Sequence, residues 1–237
     1  MNPGVLSIDF NKDNLLLCTR SSSIYEFSVG EKNPTPEPLL TGHWKGELWA
    51  EAWSHDKQRF ITAGDDFTVR LWDSVNRKQL KLHKMKEQVR GVDWNQKPDG
   101  NIVVGDYRGM IYLFDSELNL LDEAKTRFSK TKPRQEPFWI QDIKFSPDGK
   151  WVAFGAHGGA SRVLIHPVEG SKFGKDIKDI NAGLTSALLS VDWSQDSSIL
   201  AVVSQAYELK FMNLSGPVAA SACRDIKWAT WSGKFGF

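Results

Sequence analysis

GHWKGELWAEAWSHDKQRFITAGDDFTVRLWD, Gly42–Asp73, reads as three apolar bursts divided by two polar turns. AEAW ends in Trp53, SHDKQ follows, RFITA comes next, then GDDF, then TVRLWD. Asp, Gly and Ser favour tight turns, because they tolerate the dihedrals or bond back to the backbone. The bursts have strand length and are rich in β-branched and aromatic residues. The stretch therefore predicts a meander of short antiparallel strands.

Outside this stretch the same phrase recurs: an apolar position, an acidic or small one, an aromatic, then Ser or Asn. It ends LSIDFN at Asn11, WAEAWS at Ser54, RGVDWN at Asn95, IQDIKFS at Ser146 and LSVDWS at Ser194. The aromatics are Phe10, Trp53, Trp94, Phe145 and Trp193, spaced by 43, 41, 51 and 48 residues. A turn follows every copy (NKDN, SHDKQ, NQKPDG, SPDG, SQDSS), then a strand (LLLCT, RFITA, NIVVG, KWVAFG, ILAVVS), a second turn and a third strand (SIYEF, TVRLWD, MIYLFD, RVLIHP, LKFMNL). A variable fourth segment closes the unit, as in EPLLTG, KQLKLH and NLLDEA. In SELNLLDEAKTRF a helical stripe of Leu118, Leu121 and Phe128 competes with the fourth-strand reading, which overrides it.

These strands carry apolar side chains on both faces, such as Ile111 and Leu113 against Tyr112 and Phe114, so both sides need cover. Small sheets stacked radially provide it, and four-stranded units of about 40–45 residues make a β-propeller. The expected fold is all-β, five four-stranded blades, with units at about 1–42, 43–83, 84–130, 131–182 and 183–237.

Composition excludes several classes. Thirty basic and twenty-nine acidic residues give a net charge of +1, so no global field draws nucleic acid or anionic lipid. Two cysteines, Cys18 and Cys223, do not make a disulfide framework, and a reducing, cytoplasmic setting is expected. No apolar run approaches the roughly 20 residues of a membrane span, and MNPGVLSIDF lacks the form of a signal peptide.

The Gly42–Asp73 unit carries both the GH and the WD of the WD40 repeat, which it resembles. In that family a buried network joins the GH histidine, a Ser/Thr of the second strand, the turn Asp and the third-strand Trp. The matching residues are His43, Thr62, Asp66 and Trp72, and the resemblance implies a structural role for them. The phrases GHWKGELWAEAW, TVRLWDSVNR, IQDIKFSPDGKWVAFGAH, LLSVDWSQDSSILAVVSQAYELKFMN and RDIKWATWSGKFGF, in this order, resemble more narrowly the echinoderm microtubule-associated protein-like family. That resemblance implies tandem irregular propellers, contact with tubulin or microtubules, and a cytoskeletal or ciliary location. It also implies that further blades follow the last phrase, so the chain is expected to be a piece of a longer polypeptide, against the alternative of a closed five-bladed ring. The last phrase, Arg224–Phe237, is expected as the outer strand of the fifth unit.

A search for chemistry returns little. GAHGGAS, Gly155–Ser161, holds the HGG of an oxyanion hole but no G-x-S-x-G elbow accompanies it, so a turn is expected. His43, His55, His83, His157 and His166 have neither i,i+4 pairing nor a CxxC companion for zinc, and no phosphate-binding fingerprint occurs. The expectation is no enzyme and no cofactor. A hydrolase using His157 or His166 is the minor rival. Two basic stretches remain: Lys81–Lys86, and Lys125–Arg134 with Lys125, Arg127, Lys130, Lys132 and Arg134. As loops joining units they are expected on one rim, where the second would attract an acidic protein tail in a salt-dependent way. Nucleic acid is disfavoured, since only Phe128 is there to stack, and no membrane contact is expected. The leading expectation is a protein-interaction platform of a tubulin-associated protein, and the alternative a general scaffold of a ciliary or signalling complex.

Overall fold

The serine that ends the recurring phrase shapes the turn after it. Ser54 Oγ donates to Asp56 Oδ1 (2.6 Å) and accepts the Arg59 N–H (3.0 Å). Ser146 does the same with Asp148 (2.5 Å) and Trp151 (3.0 Å), and Ser194 with Asp196 (2.5 Å) and Ile199 (2.9 Å). One hydroxyl thus satisfies two groups that a tight turn would otherwise leave to solvent. The hairpin closes identically in three units.

The computed structural model describes residues 4–30, 38–126, 139–157 and 162–233. Five antiparallel sheets follow one another along the chain. The first holds β1 (Val5–Asn11), β2 (Asn14–Thr19), β3 (Ser23–Ser28) and β4 (Pro38–Thr41). The second holds β5 (Leu48–Trp53), β6 (Arg59–Gly64), β7 (Thr68–Asp73) and β8 (Lys78–Lys84). The third holds β9 (Val89–Trp94), β10 (Ile102–Asp106), β11 (Met110–Phe114) and β12 (Leu120–Lys125). In the fourth are β13 (Ile140–Phe145), β14 (Trp151–Ala156), β15 (Arg162–Glu169), β16 (Lys172–Phe173) and β17 (Lys178–Asn181). The fifth has β18 (Leu188–Trp193), β19 (Leu200–Ser204), β20 (Leu209–Asn213) and β21 (Gly216–Val218). The expected propeller sheets are present, and the helical stripe near Leu118 is indeed overridden by β12.

Three apolar cores lie between successive sheets. Ile61, Leu71, Val92, Trp94 and Ile102 fill the space between the second and third, Val103, Leu113, Ile143 and Phe154 that between the third and fourth, and Ile165, Leu188, Trp193 and Val202 that between the fourth and fifth. Glycines let the inner strands close in. A Cβ on Gly105 would sit 2.5 Å from Ile140 Cγ2, and one on Gly155 2.3 Å from Leu188 Cδ1, so each second strand has no side chain where the next sheet's inner strand arrives.

Four expectations need correction. First, the five sheets do not all bury both sides. At the repeat's aromatic position exposure is 1% for Trp94 and Trp193 and 7% for Phe145, but 44% for Trp53 and 64% for Phe10. The first sheet meets the second along its outer edge, β4 against β8, where Thr41 Oγ1 donates to Gln79 Oε1 (2.7 Å). Second, the fourth sheet has five strands, because β15 is long enough to pair with β16 at one end and β17 at the other. Third, the outer position of the fifth sheet belongs to β21, not to the last phrase. Trp228 instead bridges to Ser194 at the end of inner strand β18, and its indole stacks on Phe211 (5.6 Å, 22°). Burying that ring across the sheet decides where the segment goes. Fourth, Lys81 lies within β8 opposite Leu71 and donates to Asn119 Oδ1, so only Lys84 and Lys86 of the first basic stretch reach the rim.

Candidate protein-interaction face

His43 in the loop before β5, Thr62 on β6, Asp66 in the turn and Trp72 on β7 come together. Trp72 Nε1–H donates to Thr62 Oγ1 (2.7 Å), Thr62 Oγ1 lies 2.8 Å from His43 Nε2, and His43 Nδ1 lies 2.9 Å from Asp66 Oδ1. A neutral imidazole carrying its proton on Nδ1 satisfies every member, with the Thr62 hydroxyl donating to Nε2. Two residues not anticipated complete the set: Thr68 Oγ1 donates to Asp66 Oδ1 (2.7 Å), and Arg70 reaches Asp66 Oδ2 (3.1 Å) and Thr68 Oγ1 (3.1 Å). Burial pushes the Asp66 carboxyl upward, but the bonds from His43 and Thr68 and the Arg70 charge outweigh it, leaving its pKa below the ordinary value. Strand alternation puts Thr68, Arg70 and Trp72 on one face of β7.

Other units solve the same corner differently. In the third, buried Asp106 accepts the N–H groups of Arg108 and Met110 (both 2.8 Å) and the Tyr112 hydroxyl (3.1 Å). In the fourth, His166 lies between Phe154 and Phe173, and burial holds its pKa down at about 4.

Along the central channel, inner strands are clipped in series. Asp93 Oδ2 accepts the Phe145 N–H (2.7 Å), Asp142 Oδ2 that of Val191 (2.9 Å) and Asp192 Oδ1 that of Thr230 (3.2 Å). Lys144 stands between Asp93 (4.0 Å) and Asp142 (3.7 Å). Burial pushes Asp93 up to about 6 despite the nearby Lys144 charge, while Asp142 and then Asp93 hold Lys144 firmly protonated against its own burial.

Antiparallel strands put the turns between second and third strands, and the starts of the inner strands, at one end of the disc. There a row of planar groups crosses four sheets. Trp49 of β5 carries the Arg90 guanidinium (4.0 Å), which also approaches Tyr107 (5.4 Å) and Trp139 (6.0 Å). Tyr107 and Trp139 stack (5.1 Å, 8°), Trp139 and His157 stack (4.0 Å, 9°), and Gln205 Nε2 lies 3.0 Å from His157 Nε2. His157 stacks on Trp139, and residues 158–161 of the HGG stretch lie outside the described residues. Lys84, Lys86 and Lys125 are exposed at this end. Arg127, Lys130, Lys132 and Arg134 lie outside the described residues. Cys18 and Cys223 are free thiols. No helix among the described residues is long and apolar enough to cross a membrane.

Comparison with known proteins adds the lineage. Residues 48–237 match the family model described as the echinoderm microtubule-associated protein second beta-propeller. The chain is 26% identical over 258 aligned residues to the ciliary WD repeat-containing protein ctxp80 of Euplotoides octocarinatus, an alignment covering 98% of this chain and 34% of that protein. It is 28% identical over 231 residues to echinoderm microtubule-associated protein-like 2 of Homo sapiens, covering 95% of this chain and 33% of that one. The chain therefore spans about a third of these relatives. In the crystal structure of the mitotic checkpoint complex, one chain superposes with a TM-score of 0.59 at 20% identity, over 88% of this chain and 61% of the other, a likeness of fold alone.

Proposed function

The chain belongs to the echinoderm microtubule-associated protein family, and from that premise we propose that it is a non-catalytic platform for protein partners, tubulin foremost, within a microtubule-associated propeller protein. The observation that carries this reading is the family match from Leu48 onward, which takes in the four sheets that pack on one another. A propeller holds many loops rigidly at its two ends, so partner choice is set by loop chemistry without disturbing the cores. The Ser/His/Asp-like set of His43, Thr62 and Asp66 has its hydroxyl engaged by the Trp72 indole and its members spent on joining strands.

The test is co-elution with soluble tubulin on size exclusion at low salt. A shared peak supports the reading. A folded chain that leaves tubulin's elution unchanged removes tubulin as the partner. A second reading, the scaffold of a ciliary complex, is favoured by the ctxp80 similarity, which runs over nearly the whole chain. It gains if the tagged protein is retained on demembranated axonemes from which tubulin-binding competitors do not release it.

A further inference from the structure

The two ends of the disc differ in chemistry. At the end bearing the first turn of each unit, Asp56, Asp148 and Asp196 recur beside their serines. At the other end, three carboxylates are paired with arginine, Asp66 with Arg70 (3.1 Å), Asp65 with Arg90 (3.0 Å) and Glu87 with Arg108 (2.7 Å), and Asp106 is buried, while Glu208 keeps its charge, bonded by Ser204 (2.7 Å) and the Thr185 N–H (2.8 Å). Lys45, Lys84, Lys86 and Lys125 stand exposed there, with Glu47 and Glu123 the exposed acids near them. The excess at this end is cationic.

The stacked rings sharpen what that excess selects. Trp139 has Tyr107 on one face and His157 on the other, so what it shows to solvent is its edge. Ring edges carry the positive part of the aromatic quadrupole and ring faces the negative part. An edge of that kind among lysines favours carboxylates. Trp44, Trp49 and Tyr207 are also exposed at this end, so an oligonucleotide is the comparator that separates carboxylate from base recognition.

We infer that this end of the disc binds an extended acidic peptide, laid along the edges of Tyr107 and Trp139 with its carboxylates on Lys45, Lys84, Lys86 and Lys125. This deepens the platform reading by giving the chemistry of its partner, and it rests on that reading in assigning a protein partner.

The experiment measures fluorescence anisotropy of a labelled glutamate-rich peptide, with a lysine-rich peptide and a single-stranded oligothymidylate as comparators. The glutamate-rich peptide is expected to bind most tightly and to weaken as salt rises. The K84E/K86E pair should weaken it at least about tenfold, and the K12E/K57E pair at the opposite end, with the same change in net charge, should leave it within about twofold. Circular dichroism checks that both pairs fold. The inference is overturned if the glutamate-rich peptide does not bind, if both pairs weaken it equally, or if the oligothymidylate binds more tightly. Peptide binding without tubulin co-elution would keep the acidic site and sink the tubulin reading. Tubulin co-elution undiminished by K84E/K86E would do the reverse.

Discussion

Thr62 holds two neighbours with one oxygen, and that makes it the most sensitive small side chain in the second sheet. Thr62→Val keeps the shape but leaves the Trp72 N–H and the His43 Nε2 without a partner. A fully buried orphan costs about 1–3 kcal/mol, and His43 and Trp72 are half-buried, so the variant should lose about 2–4 kcal/mol in urea denaturation, while Thr62→Ser stays within about 1 kcal/mol. His166 carries a pH signature. Its pKa is about 4 in the fold and about 6.5 when unfolded, so the unfolded chain binds the proton more readily. Stability from keeping this ring neutral is present above about pH 6.5 and is lost as pH falls toward about 4. At roughly 1.4 kcal/mol per unit the loss is about 3 kcal/mol. His166→Phe should flatten that part of the stability–pH curve measured by denaturant midpoints. At this scale the sequence was informative where a motif fixed the partners, as with His43, Thr62, Asp66 and Trp72. It was silent on Arg70, because an arginine on a strand ordinarily points to water and only the buried Asp66 turns it inward.

At the scale of strands, close approach between neighbouring sheets rests on the absence of a side chain. Gly155→Ala places a methyl within contact distance of Leu188 and should cost about 1–3 kcal/mol, the usual range for an overfilled core. Leu188→Ala makes room, so the double variant should be less destabilised than the two single costs summed, by more than about 0.5 kcal/mol in a denaturation cycle. Additive costs would mean that this contact does not govern the spacing. Strand positions within a unit could be read from the alternation of turn and apolar burst. The outer strand of the fifth sheet could not be assigned that way, although GPV carries a clue, since proline is tolerated on an edge. The richer apolar pattern around Trp228 drew the expectation away from it, and ring burial on Phe211 rather than ladder pairing explains that pattern.

For the molecule as a whole, the contrast between the first sheet and the rest is the measurable property. Trp94→Ala opens a cavity and should cost about 3–5 kcal/mol, whereas Phe10→Ala, at the same place in the repeat, should stay within about 0.5 kcal/mol. Amides of β1 and β2 should exchange with deuterium well before those of β9 and β10, because few buried contacts hold the first sheet to the second. Equal protection would refute this. The recurrence of five aromatic phrases announced the propeller, since each phrase describes a sheet able to bury both faces. It could not announce which faces find cover, because unit one carries the same apolar pattern as its neighbours. Nor could it reveal the row from Trp49 to Gln205, whose members are scattered one or two to a unit and meet only after the sheets are stacked.

Beside their contact with Lys144, Asp93 and Asp142 each grip a main-chain N–H in the sheet that follows. An amide hydrogen is offered by nearly every amino acid, so the joint places almost no demand on what its recipient is made of. Modules coupled in that way can drift in surface character, one independently of the next, while the angle at which they meet stays constant.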